Sequence, residues 1–324
     1  MKALIVGYGS IGKRHVKNLQ KLNNSEIIIF TNKKNVNCKR CKIFNSFESC
    51  LKEKPDFAII SNVTSLHVKT AIKLANNGID LFIEKPLSNN LKDIKKLQTI
   101  SKKKKIITMV GCNLRFNHGI KKIKKMINSN KIGRVISVKV ENGSYLPDWH
   151  PNEDYQKSYA GLLDLGGGVV LTCIHEIDYL YWIFGQVNEV FSITGKFSDL
   201  KINADDSSSI LMRFKNNIIA EVHLDYYQRP EIRTFKIIGT KGTIYWNSNT
   251  NTVKIYNVKD QKWKNEFKET KVDENYTFVE ELEHFIKSVK SRKETLNPLH
   301  EGIETLKISL KILQSSKYNR IVKS

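Results

Sequence analysis

Within its first fifteen residues the chain commits to one local design: an apolar run that breaks into three spaced glycines and then continues with helical periodicity. Ala3, Leu4, Ile5 and Val6 form the run, the pattern of a short parallel strand buried on both faces. Gly7, Gly9 and Gly12 follow in the spacing G-x-G-x-x-G, and Ile11, Val16, Leu19 and Leu22 recur at helical intervals. In such a turn the first glycine permits the tight bend and the second lets the backbone approach a pyrophosphate. The third lets the helix close on the strand. The helix N-terminus then offers N–H donors and a partial positive charge to phosphate. Dinucleotide binding by Gly7, Gly9, Ser10, Ile11 and Gly12 is the expectation; a strand-to-helix turn without a ligand is the plainer alternative.

The rest of the first third repeats the same alternation. Runs at Ala3–Val6, Ile27–Phe30, Phe57–Ile60, Leu81–Ile83 and Ile106–Val110 read as strands, and Lys13–Leu22, Phe47–Lys52, Ser65–Asn77 and Leu91–Lys103 as helices. That is a doubly wound parallel sheet, whose ligands sit at the carboxyl ends of the strands. After about Phe116 the pattern changes. A long strand at Arg134–Asn142, an irregular aromatic segment and a helix over Val169–Phe184 precede several strands with no helices between them. Turns such as Gly239-Thr240-Lys241-Gly242 make that sheet largely antiparallel with one open face. Two helices, about Phe278–Lys290 and His300–Gln314, close the chain. The expected architecture is an α/β Rossmann domain at 1–117 followed by an α+β domain at 118–324.

A chain of 324 residues with 40% hydrophobic content has room for two such domains. No apolar run approaches the roughly 20 residues that span a bilayer, and the chain opens directly into the first strand, so a cytoplasmic protein is expected. The net charge of +22 comes from a lysine excess. Runs such as Lys102–Lys105 and Lys121–Lys125 lack interleaved aromatics, so nucleic acid is not an expected partner. Five cysteines, an odd number, argue against a disulfide framework. Cys38 and Cys41 make one C-x-x-C with no second pair, so no metal is expected, and Cys112 and Cys173 read as core.

Four stretches of the first domain carry polar groups to the strand ends. The glycine turn is one. Thr31-Asn32-Lys33-Lys34 stands about 20 residues further on, where NAD-preferring sites place an acid for the ribose 2′-OH. Neutral groups and lysines there lean toward NADP. Asn62, Thr64 and His67 follow the third strand, and Thr64 or Ser65 could cap the next helix. Glu84-Lys85-Pro86 ends the strand at Leu81–Ile83; Lys85 is placed to polarise a hydroxyl or ketone oxygen and share its proton, or else to pair with Glu84 on the surface.

These residues, read in order, resemble the signature series of the Gfo/Idh/MocA oxidoreductases. The resemblance runs through Gly7–His15, Asn62–His67, Glu84-Lys85-Pro86 and Gly111-Cys112-Asn113-Leu114-Arg115-Phe116. It continues through Gly166-Gly167-Gly168, Ile174-His175-Glu176-Ile177-Asp178 and the Gly239–Thr243 hairpin. It implies hydride transfer between a bound NAD(P) and a sugar, nucleotide-sugar or cyclitol hydroxyl or carbonyl. Lys85 matches the family's catalytic lysine, and His175 the histidine that moves the proton at the reacting oxygen; a core histidine is its alternative. Glu84, Lys85 and Asn113 join the cofactor set. Arg115, Tyr145, Trp149, His150 and Asp178 are the substrate candidates, within an aromatic and polar segment from Tyr145 to Tyr155 suited to sugar faces and hydroxyls. That segment could instead be a crossing loop or dimer contact, and Arg115 could pin the domain junction. A homodimer or homotetramer is implied. One departure stands out: where many relatives carry an aspartate three or four residues before the histidine, this chain has Thr172 and Leu171. Asp164 and Asp178 are the carboxylates that could compensate. A non-catalytic NAD(P)-sensing protein of the same fold is the alternative function.

Overall fold

A computed structural model describes residues 1–22, 26–33, 35–151, 153–270, 273 and 275–323; Lys34 and Asn152, both within stretches singled out above, lie outside the described residues. The chain divides into two compact units. One comprises Met1–Asn113 with Asn275–Leu306, the other Leu114–Glu274 with Lys307–Ser324. The first division falls at 113/114, beside the expected 117/118, and residues 275–306 group with the first unit.

In chain order the first unit holds β1 (Lys2–Val6), α1 (Ser10–Leu22), β2 (Glu26–Phe30), β3 (Cys41–Phe44), α2 (Phe47–Lys52) and β4 (Phe57–Ile60). It continues with α3 (His67–Asn76), β5 (Asp80–Glu84), α4 (Ile94–Lys103) and β6 (Thr108–Gly111). The six strands are parallel, in the order β3-β2-β1-β4-β5-β6, the doubly wound arrangement in which chain direction switches between β1 and β4. Every residue of β4 and β5 is buried, which is why both read as apolar runs rather than alternating ones. The edge strand β3 was not expected, because Cys41-Lys42-Ile43-Phe44 is mostly uncovered and carries no such run.

The second unit opens with α5 (His118–Asn128) and β7 (Val135–Gly143), then α6 (Val169–Thr172) and α7 (His175–Phe184). Seven strands follow: β8 (Val187–Gly195), β9 (Ser207–Phe214), β10 (Ile219–Asp225), β11 (Ile232–Gly239), β12 (Gly242–Asn247), β13 (Thr252–Asn257) and β14 (Lys262–Lys268). Then α8 (Tyr276–Ser291) belongs to the first unit, α9 (Leu299–Tyr318) contributes to both, and β15 (Val322–Lys323) ends the described chain. The nine-stranded sheet is antiparallel except where β7 and β10 run parallel, Ile219 opposite Ser137 to Asp225 opposite Gly143. One face is packed: Val138, Val140, Val222, Leu224, Phe235 and Ile237 meet Ile120 and Ile123 of α5, Ile177 and Leu180 of α7, and Ile308 and Ile312 of α9. The other face is open and mixed: Lys139 is paired to Glu221 at 2.8 Å beside the exposed Ile193, Leu211 and Ile219.

Three differences from expectation have physical causes. The Lys121–Lys125 run belongs to α5, whose Ile120, Ile123 and Met126 are buried; Lys125 is exposed, but Lys124 is partly buried and donates to Trp182 O, so the run is not a uniformly solvated face. The segment Val169–Phe184 is two helices, broken at Cys173 (ψ 35°); a stretch buried on nearly every side has no polar stripe whose phase would mark an interruption. Cys38 and Cys41 are joined in a disulfide, the C-x-x-C turn before β3 placing their Cα atoms 5.6 Å apart, whereas Cys50, Cys112 and Cys173 are free and buried. No helix among the described residues is long and apolar enough to cross a membrane.

Candidate functional site

The glycine turn is built as its spacing demands. Gly7 has φ +95° and its N–H bonds Phe30 O at 3.1 Å; a Cβ there would lie 2.7 Å from the Asn62 backbone. Gly12 is packed equally hard, since its Cβ would run into Gly7 O. Gly9 is the opposite case: nothing lies within 4 Å of where its Cβ would be, and its carbonyl starts α1 by accepting the Lys13 N–H at 3.0 Å. The space over Gly9, beside the helix N-terminus, suits an anionic group. Asn62 adds a buried Oδ1 with no hydrogen-bond partner, while its Nδ2 donates to Thr70 Oγ1 at 3.1 Å. An open cradle and an acceptor waiting for a hydroxyl are what a dinucleotide's pyrophosphate and ribose need. The residues present fit that group. Gly9→Val is expected to lower dinucleotide affinity at least about tenfold with little change in melting temperature. A fluorescence titration with NADPH beside a thermal melt reads both, and unchanged affinity would remove Gly9 from the site.

At the end of β2, Thr31 is buried and its Oγ1 accepts the Lys33 N–H at 3.2 Å, while Asn32 and Lys33 are exposed. No Asp or Glu occurs from Thr31 to Arg40. At the end of β4 the capping expectation fails. The short 3-10 turn Thr64–Leu66 and α3 both begin without a side-chain cap, and Thr64 is buried. His67 is buried with both ring nitrogens on main-chain carbonyls, Nδ1 facing Pro86 O at 2.9 Å and Nε2 facing Asn62 O at 3.0 Å. Burial pushes its pKa down, against the opposing pull of the two carbonyls and Glu84.

Glu84, which ends β5, does not sit on the surface. Its Oε1 meets His15 Nε2 at 2.6 Å and its Oε2 accepts the Lys85 N–H at 3.2 Å; His15 is fully buried against Phe82. His15 is the site residue that sequence reasoning missed, although it stands at the end of the quoted Gly7–His15 motif. Lys85 is half-buried and joined to Pro86 by a cis peptide bond. Asn113 bonds Thr277 Oγ1 at 2.8 Å, an engagement of this side chain with α8 that sequence could not show.

In the second unit, the helix break puts His175 in the first turn of α7, half-buried. Leu171 and Thr172 are buried, Thr172 beside the Tyr226 hydroxyl. Arg115 and Asp178 do not present themselves to a ligand as expected. They are 0% and 1% exposed and form a two-pronged pair, Nε to Oδ2 and Nη2 to Oδ1, both 2.9 Å. Glu176, also fully buried, is paired with Arg233 at 3.0 Å. Asp164 is exposed in the 3-10 turn Leu163–Leu165. In the aromatic segment, Trp149 donates to Ser144 Oγ at 2.8 Å and packs edge-on against Tyr226, Tyr145 lies under the Arg229 guanidinium at 3.9 Å, and His150 is exposed.

A doubly wound sheet with an open glycine cradle, followed by an open-faced sheet with a histidine at a helix start, defines a dinucleotide-dependent oxidoreductase. Residues 1–112 match the model described as the oxidoreductase family, NAD-binding Rossmann fold, and residues 120–245 match the Gfo/Idh/MocA C-terminal domain. The chain belongs to the Gfo/Idh/MocA family. It is 25% identical to myo-inositol 2-dehydrogenase of Thermotoga maritima, covering 100% of this chain and 98% of that protein. It is 30% identical to levoglucosan dehydrogenase of Pseudarthrobacter phenanthrenivorans, over 60% of this chain and 56% of that one. A solved structure of a levoglucosan dehydrogenase in complex with NADH and L-sorbose superimposes with a TM-score of 0.90 at 18% identity, covering 100% of this chain and 98% of that one.

Proposed function

We propose that this oxidoreductase interconverts a hydroxyl and a carbonyl on a sugar or cyclitol, with NADP as the preferred cofactor. The observation that carries the reading is Lys85, held at the end of β5 by the Glu84 carboxylate at its own N–H. When bound, the nicotinamide supplies the chemistry of hydride acceptance and donation. Lys85 polarises the substrate oxygen and shares its proton, and His175 exchanges that proton as the oxygen changes between alcohol and carbonyl. The relatives named for inositol and levoglucosan support a polyhydroxylated ring as substrate. Tyr145, Trp149 and His150 are the side chains assigned to its faces and hydroxyls. Thr31, Asn32 and Lys33 meet the adenosine ribose; with no acid from Thr31 to Arg40, a 2′-phosphate meets no like charge and gains a cation.

The test is a panel of inositols, anhydrosugars and hexoses, each assayed with NAD and NADP by nicotinamide absorbance. Turnover of at least one ring polyol is expected, with the higher kcat/KM on NADP. Lys33→Asp is expected to reverse that preference by about tenfold, since it places a carboxylate against the 2′-phosphate. Tight cofactor binding with no redox change across the panel would instead identify a dinucleotide-sensing protein.

A further inference from the structure

Lys85 is bracketed in sequence by two groups tied to other elements. Before it, Glu84 is bonded to His15 of α1 at 2.6 Å. After it, Pro86 O faces His67 of α3 at 2.9 Å, and the other nitrogen of that ring faces Asn62 O at 3.0 Å. One imidazole thus joins the chain just beyond β5 to the chain just beyond β4. His15 is 0% and His67 1% exposed, so neither interaction competes with bulk water. Resting on the reading of Lys85 given above, we infer that His67 is a positioning residue: it fixes Pro86 against Asn62 and so sets where the Lys85 ammonium is presented, with His15 as the matching clamp through Glu84.

The chemistry of the ring argues against simple packing. A neutral imidazole has one proton to donate, yet both nitrogens face acceptors, so the ring serves one carbonyl or the other and leaves one bond unmade. A leucine or phenylalanine filling the same volume would leave both carbonyls without a donor, so the ring answers a need that packing alone does not. What a ring with a nitrogen at each end provides is a donor for either strand end, which keeps it seated between Pro86 O and Asn62 O in either tautomer. The same link reaches Asn62, whose Oδ1 is the unpartnered acceptor of the cofactor cradle. His67, expected from sequence to touch the cofactor, instead acts on it through Lys85.

The test uses the full chain and reads the lysine directly. Acetylation of Lys85 by acetic anhydride is followed by mass spectrometry with and without saturating NADPH, and affinity for 2′-phospho-ADP-ribose reports the adenosine end alone. In wild type, NADPH should protect Lys85 by about tenfold. In His67→Ala that protection should fall below about twofold, the size of loss typical when a supporting shell is released, while 2′-phospho-ADP-ribose affinity stays within about threefold. His67→Gln, which keeps one donor, should recover part of the protection and serves if the alanine variant does not fold. Full protection in both folded variants overturns the inference and leaves the reading of Lys85 intact. Absence of protection in wild type overturns both.

Discussion

Arg115→Ala is expected to remove about 3–5 kcal/mol of stability, because it takes a two-pronged cationic partner away from the Asp178 carboxylate in a site sealed from water. Arg115 is fully buried and meets Asp178 through two 2.9 Å bonds, so the loss is that of a desolvated charge rather than of a surface ion pair. Urea unfolding followed by a signal from the second unit gives the measurement. A paired replacement, Arg115→Met with Asp178→Leu, removes both charges and should recover most of the stability. An alanine variant with the wild-type midpoint would show that the pair contributes nothing. Arg115 and Asp178 look like ligand-binding groups in the sequence because a paired charge and a free one are written with the same letter.

Lys85→Ala is expected to lower kcat/KM by about 10²–10⁴-fold, the range of a lost proton-transfer group, on whichever ring polyol the panel identifies. Cofactor affinity should fall by less than kcat/KM does, since the glycine cradle and Asn62 are untouched while one cofactor contact is lost. Lys85→Arg separates the two duties given to this residue. Arginine keeps the positive charge but does not give up its proton near neutral pH. A variant that recovers full activity would reduce Lys85 to a fixed charge. If both variants turn over as wild type, the proposed chemistry is wrong.

The legible part of this protein was its periodicity. The buried strands β1, β4 and β5 carry unbroken apolar runs, Ala3–Val6, Phe57–Ile60 and Leu81–Ile83, and the exposed edge β3 does not, so the first three appear in the sequence and the last does not. The glycines were readable because each has a steric reason that spacing alone conveys: Gly7 and Gly12 press on backbone, and Gly9 faces open space. Pairings across long separations were not readable. His15 finds Glu84 from 69 positions away, and Arg115 finds Asp178 from 63. The break between α6 and α7, which sets His175 at a helix start, was hidden because the residues on both sides of it are buried and show no change of exposed face.

The outer edge of β6 is clad by chain from the far end of the sequence. Val110 N–H bonds Asn297 O at 2.8 Å, the Asn297 amide returns to Val110 O at 2.9 Å, and the Thr295 hydroxyl bonds Thr108 O at 2.6 Å. On the same strand, Gly302 of α9 presses on the Val110 side chain. During synthesis, the nucleotide-binding unit therefore waits for more than 160 intervening residues, from 114 to 274, before its last strand is closed. Until then β6 offers an unpaired row of donors and acceptors to any neighbouring chain. A recombinant fragment ending at 113 inherits that bare edge permanently. An excised domain that stays in solution needs residues 275–306 spliced back onto it.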